Sequence, residues 1–161
     1  MTHRRVGRMV VFAVALCCMT MVPAAAASAS AKSIELAIAS YGTKIDAAEQ
    51  GVSTAVKEYE TSKDPVGVEA AIGHSAAVLG SLRSKVAHQS AGATRVKRAK
   101  AKILQGLERV IVGYGMLSKA YEEKASSPEA ASVEADHALP LVKAGKKELD
   151  AGVNLLSRPG D

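Results

Sequence analysis

Beyond Lys32, apolar residues recur in alternating steps of three and four. A first seam runs through Ile34, Ile38, Tyr41, Ile45, Ala48, Val52, Ala55 and Tyr59, and a second through Val68, Ile72, Ser75, Leu79, Leu82 and Val86. A third follows Ile103, Leu107, Val110, Tyr114, Leu117 and Tyr121, and a fourth Ala135, Leu139, Val142, Lys146, Leu149, Val153 and Leu156. Steps of this kind keep one stripe of a helix turned toward partners in a left-handed bundle. The surrounding residues are mostly Ala, Glu, Lys and Leu, which lose little side-chain entropy in a helix. The pattern predicts helices over about 32–61, 65–90, 94–125 and 128–157.

Local punctuation fits those boundaries. Asp64-Pro65 and Ser127-Pro128 each set a capping side chain before a proline at the first helical position. Gly92 is placed to close the second helix. Pro140 is expected to kink the fourth, because it lacks a backbone donor and crowds the preceding turn. Links this short favour antiparallel neighbours. The expected fold is therefore all-α, an antiparallel up-and-down four-helix bundle over 32–157 with a short tail at 158–161.

Two further regularities bear on how the helices meet. A shift of 62 residues lays Lys57-Glu58-Tyr59-Glu60 on Lys119-Ala120-Tyr121-Glu122 and Gly51 on Gly113, and the first and third seams then coincide. Either a helical hairpin is duplicated, each half burying the other's apolar stripe, or two heptad patterns align by chance. Glycines also recur seven apart, at Gly73 and Gly80, Gly106 and Gly113, and Gly145 and Gly152. Each costs roughly 1 kcal/mol against alanine inside a helix, so a compensating role is expected. The simplest is close approach of two helices in a slim bundle with a thin core; the alternative is a ligand cavity lined by small residues.

The first thirty residues follow a different plan. Arg4, Arg5 and Arg8 precede an apolar run from Met9 to Val22, and Pro23 leads into AAAASASA. A basic end, a short apolar helix and A-x-A sites make up a secretory signal. Residues 1–29 are read as that signal, with cleavage between about 26 and 31. Run together with the alanines, the apolar stretch reaches about twenty residues, near the length of a membrane span, so an N-terminal membrane anchor is the alternative. Cys17 follows Leu16 and Cys18 another cysteine, which does not suit lipid attachment, and Gly7-Arg8 does not suit twin-arginine export. Cleavage removes both cysteines, so the exported chain forms no disulfide and no thiolate metal site. It also lowers the formal net charge from +5 to +2, which no longer implies a globally basic nucleic-acid binder.

A search for catalytic or cofactor chemistry returns little. Glu134-Ala135-Asp136-His137 has the Glu-x-x-His spacing of di-iron bundles, but there is no second copy and His137 lies off the apolar stripe. There is no C-x-x-C-H and no H-x-x-x-H pair, and Met116 is the one methionine beyond the signal. His74 and Ser75 are adjacent, so they point about 100° apart on a helix and are poorly placed as base and nucleophile. No phosphate loop, dinucleotide fingerprint or glycine-flanked serine occurs. The expectation is a protein without enzymatic activity and without a bound cofactor.

What remains is charge. Between Arg83 and Arg109 lie eight basic residues and one acid, Glu108, a net +7. Arg95, Arg98, Lys102 and Arg109 share one helical face. Cations in the first turn of the third helix oppose its macrodipole, so the stripe calls for an explanation. One is a solvated face paired with Glu49, Glu58 and Glu60 of the first helix. The other is a face for an anionic partner outside the cytoplasm: an envelope polymer, a membrane surface or an acidic protein. Nucleic acid suits it less, since no aromatic residue interleaves the run to stack on bases. The expected role is that of a noncatalytic interaction or structural component of the cell envelope or extracellular space. The alternative is a carrier holding haem, lipid or metal between the helices.

Overall fold

A computed structural model describes residues 29–124 and 126–158; the segment read as a signal lies outside the described residues apart from its last position. The described chain is all-helical: α1 (Ala29–Ala39), α2 (Gly42–Ser62), α3 (Val66–Ala87), α4 (Thr94–Glu123) and α5 (Pro128–Leu156). They form four helical rods, of which the first is broken in two. Their apolar stripes meet in one core, which includes Ile34, Ile72, Ile103, Leu107 and Leu156, each no more than 2% exposed.

The break corrects the continuous helix expected over 32–61. Ser40 Oγ donates to the Ala37 carbonyl at 2.7 Å, and the Tyr41 N–H turns to the Ile38 carbonyl at 3.0 Å. A serine hydroxyl that takes a nearby carbonyl competes with the helix ladder, and Gly42 follows with the least helical preference of any residue except proline. The chain therefore turns at Ser40-Tyr41 and restarts. The redirection lets α1 fold onto the end of the bundle, where it touches α3, α4 and α5 and buries Ala31 and Ile34 completely.

Other boundaries shift for equally local reasons. Asp64 behaves as expected: its carboxylate accepts the Val66 N–H at 3.1 Å, with Pro65 already in helical geometry. Ser127 makes no side-chain cap bond, contrary to expectation. Gly92 does not close α3, which ends at Ala87 with His88 still in right-handed geometry. The end is sealed instead from a neighbouring helix, because Lys100 Nζ donates to the carbonyls of Ala87 and Gln89, both at 2.6 Å. Pro140 sits on the exposed face of α5, and the helix continues through it.

Consecutive rods meet through pairs that run in opposite chain directions. Ser75 Oγ donates to the Ala48 carbonyl at 3.2 Å and Lys85 to Ser40 Oγ at 3.1 Å, linking α3 with the first rod. Arg83 pairs with Glu108 across α3 and α4 at 2.6 Å.

The α4–α5 pair is much the tightest. A Cβ built on Gly106 would lie 2.6 Å from the Gly145 carbonyl oxygen, and one on Gly145 would lie 2.7 Å from that of Gly106. On Gly113 it would lie 3.1 Å from the Ala138 oxygen, and on Gly152 2.9 Å from the Ala99 oxygen. Ala99, Gly106, Gly113 and Ala120 thus form a buried heptad stripe of small residues on α4, facing Ala131, Ala138, Gly145 and Gly152 on α5 in antiparallel register. Close helix contact is the correct account of these two glycine pairs. A ligand space is excluded along this seam, since even a methyl group meets backbone. Gly73 and Gly80 are different: nothing lies within 4 Å of a Cβ on either.

Candidate functional site

The four residues singled out by sequence lie along α4, but they do not share one environment. Arg98 and Lys102 are exposed and form no ion pair with a carboxylate among the described residues. Arg95 is half-buried, and its guanidinium donates to the Arg158 carbonyl just beyond α5. Arg109 pairs with Glu148 of α5 at 2.9 Å. The ion pairs of this region therefore run to Glu108 and Glu148, and the acids Glu58 and Glu60 of α2 take no part.

This arrangement offsets the mismatch with the α4 macrodipole at Arg95, while the other first-turn cations, Lys97 and Arg98, are exposed. Antiparallel packing sets the start of α4 beside the ends of α3 and α5, where carbonyl groups present partial negative charge. Lys100 reaches the carbonyls at the end of α3, and Arg95 the one beyond the end of α5. Arg95 in the first turn and Lys100 in the second thus complement the ends of the two neighbouring helices.

The same packing gathers more cations than the stripe contains. Lys32 of α1, Lys85 of α3 and Lys97 of α4 are all exposed at this end, and sequence reasoning left them out of the face. A signal for Lys85 and Lys97 existed: the run from Arg83 to Arg109 straddles a tight link, so both of its arms fall at one end of a bundle. The molecule can be divided at the level where Ser75 meets Ala48, which on α4 and α5 falls at Arg109 and Val142 by the register of their glycine contacts. One half, residues 29–48, 77–109 and 142–158, then holds 14 basic and 5 acidic residues, a net +9. The other half, 49–76 and 110–141, holds 4 basic and 10 acidic residues, a net −6. The 30 residues of α4 span about 45 Å, several times the screening length of about 8 Å at physiological salt. A partner at one end therefore does not sense the other.

Two polar groupings lie elsewhere. Inside the bundle, Glu49 is 8% exposed and meets Lys146 Nζ at 3.8 Å, joining α2 to α5. Tyr114 is buried beside them, and burial together with the Glu49 carboxylate pushes its phenol above the ordinary range. At the acidic end, Tyr59 and Tyr121 pack edge to face with centroids 5.3 Å apart. Lys124 Nζ stands 4.6 Å from the Tyr59 centroid and 5.5 Å from that of Tyr121. Burial lowers the Lys124 pKa, helped by Lys63 and opposed by Glu60.

Among the described residues no three His, Cys, Asp or Glu side chains converge on a point suited to a metal ion. His74, His88 and His137 are exposed, on separate helices or helix ends. Among the described residues, no helix is long and apolar enough to cross a membrane. No protein-family model matches the chain, and no curated protein or solved structure is significantly similar to it.

Proposed function

We propose that this is an exported, noncatalytic protein whose helices complete an up-and-down bundle, and whose cationic end binds an anionic partner in the cell envelope or extracellular space. The observation that carries the reading is charge polarity, +9 on one half against −6 on the other. Arg98 and Lys102 form the accessible centre of the face, flanked by Lys97 and by Arg95 and Arg109, whose guanidiniums are positioned by Arg158 and Glu148. Export rests on the three-part plan of the first thirty residues. It implies a chain without cysteine that relies on packing alone.

Cations on a rigid rod attract a partial counter-surface mainly through association rate and salt-sensitive affinity. The test is retention of the purified exported protein on an anionic polymer support at low ionic strength. The wild type is expected to be held and to elute as salt rises. A variant with Arg98→Glu and Lys102→Glu is expected to pass through, with an unchanged circular dichroism spectrum, because both side chains are exposed and neither forms an ion pair among the described residues. Elution of the variant together with the wild type sinks the proposal.

A further inference from the structure

The anionic partner can be specified further, on the premise that the cationic end is the binding surface. We infer that this end docks on an anionic lipid surface, with the bundle standing on the membrane and its acidic end directed away. Three features of the cationic end converge on lipid rather than on a hydrated polymer. First, Leu36 is 61% exposed on α1, one turn from the exposed Lys32, and is the one large exposed apolar side chain on the cationic half of the described residues, Val66, Val112 and Val133 lying on the acidic half. A side chain of that kind gains from the headgroup boundary of a bilayer, whereas a hydrated polymer gives it nothing to bury against. Second, α1 is where the chain enters the described structure. Ser30 lies beside Gly92 in the link between α3 and α4, so α1, which carries Leu36 and Lys32, belongs to the cationic end. Third, the exposed cations Lys32, Lys85, Lys97, Arg98 and Lys102 come from three different helices. They make an end face suited to a plane of headgroups, whereas a single strand would be followed by a groove.

The opposite end supplies orientation. Its net charge of −6 is repelled by the same surface that attracts the +9 half, and the two are far enough apart for each to act alone. A polarised rod near an anionic plane stands on its positive end, as anionic headgroups attract Lys and Arg within a screening length.

The test uses the exported form with Cys17→Ser and Cys18→Ser, so that a label is unique whichever N-terminus the host produces. One dye is attached through Ser90→Cys at the cationic end and, in a second variant, through Ser126→Cys at the acidic end; both serines are exposed. Vesicles of phosphatidylglycerol and phosphatidylcholine carry a headgroup quencher, and pure phosphatidylcholine vesicles serve as the comparison. Phosphatidylglycerol is expected to raise partitioning at least about tenfold, with strong quenching at position 90 and little at 126. Arg98→Glu with Lys102→Glu is expected to remove the gain. Leu36→Ser is expected to weaken vesicle binding several-fold while leaving retention on the polymer support unchanged. Equal partitioning into both vesicle types overturns the lipid inference, and equal quenching at both labels overturns the end-on orientation. Retention on the polymer support without vesicle binding refutes the lipid inference alone, whereas loss of both refutes the underlying reading as well.

Discussion

Glu49, Lys146 and Tyr114 carry polar chemistry into a mostly apolar interior, and each belongs to a different helix of the bundle. Side chains such as these are stable inside only when paired, and the Lys146–Glu49 contact provides that pairing between α2 and α5. The tyrosines make burial measurable. Tyr121 is pushed up from 10.0 to about 12, first by burial and then by Tyr59 and Glu60. A phenol whose proton is held more tightly in the folded than in the unfolded chain stabilises the fold fully below pH 10 and loses that effect as pH rises toward about 12. The phenolate absorbance of the native protein is therefore expected to rise late, and the denaturant midpoint to fall across that window. A midpoint that stays flat through it contradicts the burial of this ring. At the end of α2, Lys63 shows another residue-level constraint, being the one positive-φ residue other than glycine among those described (φ 61°). It sits where a glycine usually ends a helix.

At the scale of elements, the glycines divide into two kinds that composition alone does not separate. Gly106→Ala is expected to destabilise the protein by about 1–3 kcal/mol, because the methyl group meets the Gly145 carbonyl and the two helices must part. Gly73→Ala meets nothing and is expected to stabilise by up to about 1 kcal/mol through helix propensity. Equilibrium denaturation of both variants checks the opposite signs. The contrast also marks how far the sequence was legible. The alternating three-four steps located every rod, and the third seam, Ile103 to Tyr121, is buried throughout. The fourth was read through Leu139, Lys146 and Val153, whereas the tightest packing uses Ala138, Gly145 and Gly152 one position earlier. Large apolar residues draw the eye to the rim of such a stripe, but a backbone-to-backbone seam is lined by small ones. The proposed echo between Gly51 and Gly113 separates for the same reason: Gly113 is buried against α5, while Gly51 is exposed with nothing near it. The turn at Ser40-Tyr41 was hidden because the seam continues across it without a missed step. Its causes are local, the Ser40 hydroxyl competing for a carbonyl and Gly42 just after it.

Across the whole molecule, what the sequence presented as a basic stripe becomes a basic end. The stripe itself was readable, since Arg95, Arg98, Lys102 and Arg109 do fall along one side of α4. Their partners were not, because they depend on which helix ends are brought together. Arg95 and Lys100 neutralise helix termini that only the fold places beside them, and this leaves Lys97, Arg98 and Lys102 as the outward charges. If function depends on polarity rather than on total charge, moving charges between the ends at constant net charge is decisive. The most direct measurement compares salt-dependent retention of the wild type with that of a variant carrying Arg98→Glu, Lys102→Glu, Glu122→Lys and Glu129→Lys, all at exposed positions. This variant, unchanged in net charge, is expected to elute from the anionic support at markedly lower salt than the wild type. Elution of both at the same salt would contradict the account.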